Sequence, residues 1–197
     1  MKRFGNLYGQ VCAYDNILLA IRNASRDHAR DPAVINMKAN PDEYAGIIRD
    51  MLVNHTYKQS AYRTRVIFEH GKQRTLRYTR TFPDRVVQHC LLQIIGPILI
   101  GTYISDSYAS IPNKGLHHGS VKLRSWLKID PIGTRYCLKI DVHHYYDSID
   151  RNILYQMLCR KLKDQAVLAL LHQFIFQAPG TGIPIGNYLS QFLSNFI

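Results

Sequence analysis

The sequence predicts an α+β fold in which helices pack on a small antiparallel sheet and a strongly basic β-hairpin projects from it. Three observations carry that expectation. Ile17, Leu18, Ile21 and Ala24, and later Tyr44, Ile47, Ile48, Met51 and Leu52, recur at helical spacing. Tyr62 to Phe68 and Arg74 to Arg80 are rich in β-branched and aromatic residues on either side of Gly71, which supplies a turn. Arg135 to Asp141 alternates polar and apolar side chains at the two-residue period of a strand. With 197 residues, 46% of them apolar, the chain can bury a core without a disulfide or a structural metal.

Taken in order, the first helix runs from Tyr14 to about Arg30. Asn40-Pro41-Asp42-Glu43 opens a second one with a cap, a proline at the first helical position and an acidic first turn. The hairpin follows, with Lys72 and Arg74 at its tip and Arg63, Arg65, Arg77 and Arg80 along its flanks. Thr81-Phe82-Pro83-Asp84 has capping-box spacing, which predicts a helix from Pro83 to Ile95 that buries Val86, Val87, Leu91, Ile94 and Ile95 and ends at Pro97. Ser105 to Gly115 reads as a loop bearing Lys114. His118 to Leu127 reads as a helix presenting Lys122 and Arg124, and Asp130-Pro131-Ile132-Gly133 as a turn. After the strand, Asp150 is placed to cap a helix from Arg151 to Lys163, and Asp147 could serve the same turn.

Charge narrows the function classes. Lys plus Arg number 25 against 14 Asp plus Glu, a net charge of +11, and such a field attracts polyanions. Between Lys58 and Arg85, eight basic residues stand against two acidic ones, so more than half of the excess sits on the hairpin and its flanks. Six cations on one ribbon exceed what edge protection needs, and Arg85 extends the row. Cys12, Cys90, Cys137 and Cys159 form no CxxC pair and read as buried thiols of a reduced, cytoplasmic protein; zinc is not expected. The basic N-terminus is not followed by an apolar stretch, so no secretory signal is read, and Val86 to Ile104 is interrupted by Gln88, His89, Gln93 and Pro97, which argues against a membrane span.

The segment with chemical content begins at Lys139-Ile140-Asp141-Val142. A carboxylate closing a buried strand asks for a cation, a helix to cap or a metal, because its unpartnered desolvation costs several kcal/mol. His143 and His144 follow, but neighbours on a strand point to opposite sides and no third ligand is spaced to join them.

Lys139-Ile140-Asp141-Val142-His143-His144-Tyr145-Tyr146-Asp147-Ser148-Ile149-Asp150 resembles the first catalytic motif of reverse transcriptases. Three more segments resemble that family in the same order. Gly71-Lys72-Gln73-Arg74 is similar to the fingertip, Phe82-Pro83-Asp84-Arg85-Val86-Val87-Gln88 to the helix joining fingers to palm, and Gly182-Ile183-Pro184-Ile185-Gly186-Asn187-Tyr188-Leu189-Ser190-Gln191 to the fourth conserved block. Ile185 to Gln191 resembles the bacterial and phage retroelement branch, which includes diversity-generating retroelements. Most group II intron and retroviral enzymes carry Gln and Pro at the ends of that stretch.

The resemblance implies a right-hand polymerase: residues 1–60 as the helical part of the fingers, 61–134 as the fingers hairpin and helices, and 135–197 as a partial palm. It implies an RNA template, a DNA primer and a dNTP as partners, with an accessory retroelement protein possible, and two Mg²⁺ ions as cofactors. Asp141 would bridge the ions, with the Val142 carbonyl as a second oxygen. Lys72 and Arg74 would neutralise the triphosphate, and Tyr146 would exclude a ribose 2′-hydroxyl. Ile185 and Gln191 would border the nucleotide, though Ile185 has no polar atom to offer a base and could simply pack beneath the site. Arg63, Arg65, Arg77, Arg80, Arg85, Lys114, Lys122 and Arg124 would grip the template backbone.

The family's aromatic-x-Asp-Asp turn is absent from these residues, so an N-terminal fragment without activity of its own is expected. Two alternatives stand beside it. One is a non-catalytic nucleic-acid-binding module on the same fold. The other is a truncated scaffold that dimerises through its cut palm and the Phe192, Leu193 and Phe196 face.

Overall fold

The computed structural model describes residues 2–26, 28–69 and 71–197, with Glu69 and Lys72 described by their backbone alone. Its architecture is α+β. Helices α1 (Tyr8–Val11), α2 (Tyr14–Ala24), α3 (Pro32–Ala39) and α4 (Pro41–Val53) precede the antiparallel strands β1 (Arg63–Glu69) and β2 (Lys72–Tyr78). A kinked turn (Thr81–Arg85), extended at Phe82, leads into α5 (Val86–Ile100), followed by α6 (Leu116–Ile129), α7 (Tyr145–Ser148), α8 (Arg151–Lys161), α9 (Gln165–Phe176) and α10 (Tyr188–Phe196). No helix among the described residues is long and apolar enough to cross a membrane.

Local chemistry explains most of these elements. The first helix stops at Ala24, short of the expected Arg30, and the chain starts again at α3. There the Asp31 carboxylate accepts from the Ala33 amide and Pro32 takes the first position; α4 likewise starts on a proline, but Asn40 before it does not form the expected side-chain cap. Asp150 caps α8 as expected, accepting from the amides of Asn152 at 2.7 Å and Ile153 at 3.0 Å. Asp164 serves two helices at once: it accepts from Leu7 and Tyr8 at the start of α1 and from Val167 at the start of α9. Burial opposes its charge, but these amide donors outweigh that and hold its carboxyl below the usual range.

The core is built around α5, against which α1, α2 and α10 pack, while α8 and α9 pair beside it. Ile17, Leu91, Ile95, Leu99, Leu154, Leu158, Leu171 and Ile175 are fully enclosed. The expected stop at Pro97 does not occur: the helix runs through it to Ile100. Proline removes one backbone donor, and the complete burial of Leu99 holds the remaining turn in place. Nor does Thr81 cap a helix. Its hydroxyl donates instead to Asp31 at 2.5 Å, fastening the kinked turn to the start of α3.

The largest departure is the segment expected as a strand. Residues 135–142 form no ladder, and Tyr136, Leu138 and Ile140 are 86%, 84% and 77% exposed. Alternation prepares a chain for a sheet, yet a strand exists only where a neighbour takes its backbone groups. No such neighbour reaches it among the described residues. Helix α6 forms over a longer span than expected, but none of its residues is buried.

One buried group makes stability depend on pH. His89, on α5, is 5% exposed and stacks on Tyr188 at 4.1 Å between ring centres. Burial, with Arg85 and Arg26 nearby, pushes its imidazole down to about 4. A histidine lowered in the folded state binds its proton more readily when unfolded, so its contribution is whole above the ordinary pKa and is lost as pH falls from about 6.5 towards 4. His89→Phe keeps the ring stack without the titration. Urea unfolding at pH 7 and pH 4.5 is expected to cost the wild type about 2–3 kcal/mol more than the variant over that interval.

Candidate nucleic-acid interface

The register of the hairpin sorts its arginines. Arg63 lies opposite Tyr78, Arg65 opposite Leu76 and Ile67 opposite Arg74, and such cross-strand partners share a face. Thr64 opposite Arg77, Val66 opposite Thr75 and Phe68 opposite Gln73 form the other. Gly71, with φ of +75°, closes the turn between the strands, a conformation that costs glycine nothing. The first face looks onto a cavity of about 770 Å³. Arg63, Arg65, Leu76 and Tyr78 line one side, Arg80, Phe82, Arg85 and Gln88 another, and Gly186, Asn187 and Tyr188 close it.

Arg77 is therefore a correction to the expected grip. Two-residue alternation puts it on the reverse face, where its guanidinium donates to Asp147 at 3.4 Å. Asp147 accordingly serves an ion pair and not the cap of α8.

Buried polar contacts hold the walls together. Gln88 is 1% exposed; its amide donates to the Thr79 hydroxyl at the end of the hairpin and accepts from the Leu189 amide at the start of α10. Asn187 donates to the Tyr62 hydroxyl at 2.7 Å, and Tyr62 in turn donates to the Phe174 carbonyl. Asp84, fully enclosed, accepts from the Tyr57 hydroxyl at 2.8 Å and the Ser60 amide at 3.1 Å. Burial and the adjacent carboxylate push the Tyr57 hydroxyl far above its ordinary range, so it remains a donor throughout the physiological interval. This network fixes the backbone around the cavity.

The remaining expected site residues divide. Arg74 is exposed and shares the face of Arg63 and Arg65, while the Lys72 side chain lies outside the described residues. Ile185 is half-buried, and its carbonyl accepts from the Arg77 amide at 2.8 Å. Tyr146 is half-buried against the core, with its hydroxyl accepting from Ser194 at 3.4 Å. Gln191 is exposed on α10. Lys114 donates to the Ser105 carbonyl and Lys122 lies over the Trp126 ring; both line a second hollow of about 490 Å³ that shares no residue with the first. Arg124 is exposed on α6.

Asp141 is exposed in the segment without secondary structure, and Val142 beside it is 55% exposed. The rings of His143 and His144 meet edge to face at 4.0 Å, not on opposite sides, because the strand that would separate them is not formed. Among the described residues no three His, Cys, Asp or Glu side chains gather where a metal ion could be held. A two-magnesium centre does not fit the residues present here: one exposed carboxylate cannot bridge two ions that each need several oxygen ligands.

Sequence reasoning missed Gln88 and Asn187 as wall-builders. A lone amide in the otherwise apolar run Val86-Val87-Gln88 was the available signal, since an amide buried there must find partners.

No family model matches the chain. It is 28% identical over 163 residues to protein YkfC of Escherichia coli strain K12, an alignment that takes in 77% of this chain and 42% of YkfC. The chain thus spans less than half the length of the relative it resembles.

Proposed function

We propose that this chain is the template-gripping, nucleotide-facing part of an RNA-directed DNA polymerase, with an RNA template, a DNA primer and a dNTP as its ligands. The observation that carries this reading is the convergence of Arg63, Arg65, Arg80 and Arg85 on one cavity closed by residues 186–188. Guanidinium groups arranged around a cleft suit a phosphate backbone, which they neutralise without reading sequence. The four collinear motifs, from Gly71 to Gln191, support the same reading, and members of two of them, Phe82, Arg85 and Gln88 with Gly186, Asn187 and Tyr188, line that cavity. Divalent-ion chemistry in such an enzyme needs carboxylates besides Asp141.

A non-catalytic nucleic-acid-binding module is the second reading; it needs nothing beyond the arginine-lined cavity. The two share the cavity and differ in what Asp141 is for.

Fluorescence anisotropy with a labelled RNA–DNA primer–template tests the shared part. Affinity is expected to fall by roughly 10³ between 50 and 200 mM salt if about six phosphates are contacted. Arg63→Ala and Arg65→Ala should each reduce the salt slope by about one, whereas Arg77→Ala should leave it unchanged. A flat salt response would remove the arginine cavity as the grip.

Primer extension by the natural protein that carries this chain separates the two readings. Asp141→Asn is expected to abolish extension while primer–template affinity stays within about twofold, as loss of one metal-binding carboxylate predicts. Extension that survives the substitution would remove the metal role of Asp141, and a wild-type protein that binds primer–template without extending it would leave only the binding module.

A further inference from the structure

We propose that Arg77 is a positioning residue that clamps the 180–187 loop and the turn carrying Tyr146 to the hairpin, and so sets how Tyr146 and Ile185 meet a bound nucleotide. The proposal rests on the polymerase reading for its nucleotide and on geometry for its clamp.

Arg77 makes three attachments in one place. Its backbone amide donates to the Ile185 carbonyl at 2.8 Å, so the free edge of β2 takes hold of the loop. Gly186 allows this approach: it has φ of +110°, and a Cβ there would stand 3.3 Å from the Arg77 carbonyl oxygen. The Arg77 side chain then crosses Gly180, where a Cβ would lie 3.0 Å from Nη1, and ends at Asp147.

The far end of the clamp is the aromatic turn. Asp147 follows Tyr146 in α7, and the Tyr146 carbonyl accepts from the Ile183 amide at 3.0 Å. Gly182, with φ of +53°, lies so close beneath that carbonyl that any side chain would collide with it. Arg151 also donates to the carbonyls of Gly180, Thr181 and Gly182. Two guanidinium groups therefore meet one glycine-bearing loop, and Asp147 is the carboxylate paired with Arg77. The ion pair thus links hairpin, loop and turn.

The pair is single-pronged and its side chains are 28% and 40% exposed, so it adds little to global stability. Its value lies in direction. Because Arg77 is on the reverse face of the hairpin from Arg63 and Arg65, its loss should alter nucleotide presentation without weakening the grip on template.

Hydrogen–deuterium exchange of the whole chain reads the clamp. Arg77→Ala and Asp147→Asn are each expected to raise exchange at Ile183 and its neighbours about threefold to fivefold, with the amides of α5 unchanged. The exchanged pair Arg77→Asp with Asp147→Arg should restore protection, and 0.5 M NaCl should raise exchange in the wild type but not in either single variant. In the natural protein, Arg77→Ala should lower the ratio of dNTP to rNTP kcat/KM while primer–template affinity holds, and the swapped pair should recover it. Unaltered exchange at Ile183 in both single variants, or an increase spread over the entire chain, would overturn the clamp. Altered exchange with unaltered sugar discrimination would overturn its role towards nucleotide. Failure of the wild-type chain to bind primer–template would instead remove the polymerase reading, and with it the nucleotide-facing half of the proposal, whatever exchange reports.

Discussion

Helix α5 is apolar on nearly every side, and such a helix has to be wrapped on every side. That requirement organises the molecule. Helices α1, α2 and α10 supply the wrapping, and because α10 comes from the far end of the chain, the fold cannot close until residues about a hundred positions apart have met. The few polar groups on α5 then become anchors. Gln88 reaches the hairpin and the start of α10, and Asn16 and Gln93 tie α2 to the same helix. The cavity walls are thus extensions of the core, which is why arginine-bearing backbone can stand still at its rim.

Electrostatics works on this frame in two ways. Arg63, Arg65, Arg80 and Arg85 line one cavity, where an arriving anion would meet their combined charge. Arg77 and Arg151 instead use their charge within the chain, on Asp147 and on three loop carbonyls. The same residue type serves attraction of a ligand in one place and stitching of a loop in the other. What separates the uses is the side of a ribbon on which each arginine falls.

Much of this was legible in the sequence. The hairpin and its glycine turn, the proline start of α4, and the Asp150 cap all follow from local chemistry, and local chemistry is what a sequence displays most directly. Helix α3 carries the same signature in Asp31-Pro32 and could have been read the same way. Non-local facts were harder. Thr81 has the spacing of a cap, yet Asp31, fifty positions away, takes its hydroxyl. The alternation through Tyr136, Leu138, Ile140 and Val142 is plain, but pairing depends on a second strand whose presence no alternation reveals. Arg77 looked like its neighbours because counting cations ignores the pleat.

That pleat ties the hairpin's length to its chemistry. A single-residue insertion or deletion between Arg74 and Arg77 would invert one part of β2 relative to the other, turning the stitching arginine towards the cavity or the cavity side chains away from it. A change of two residues would instead leave both faces as they are. Parity of spacing, more than the identity of any single side chain there, is the trait that descendants of this hairpin would have to keep.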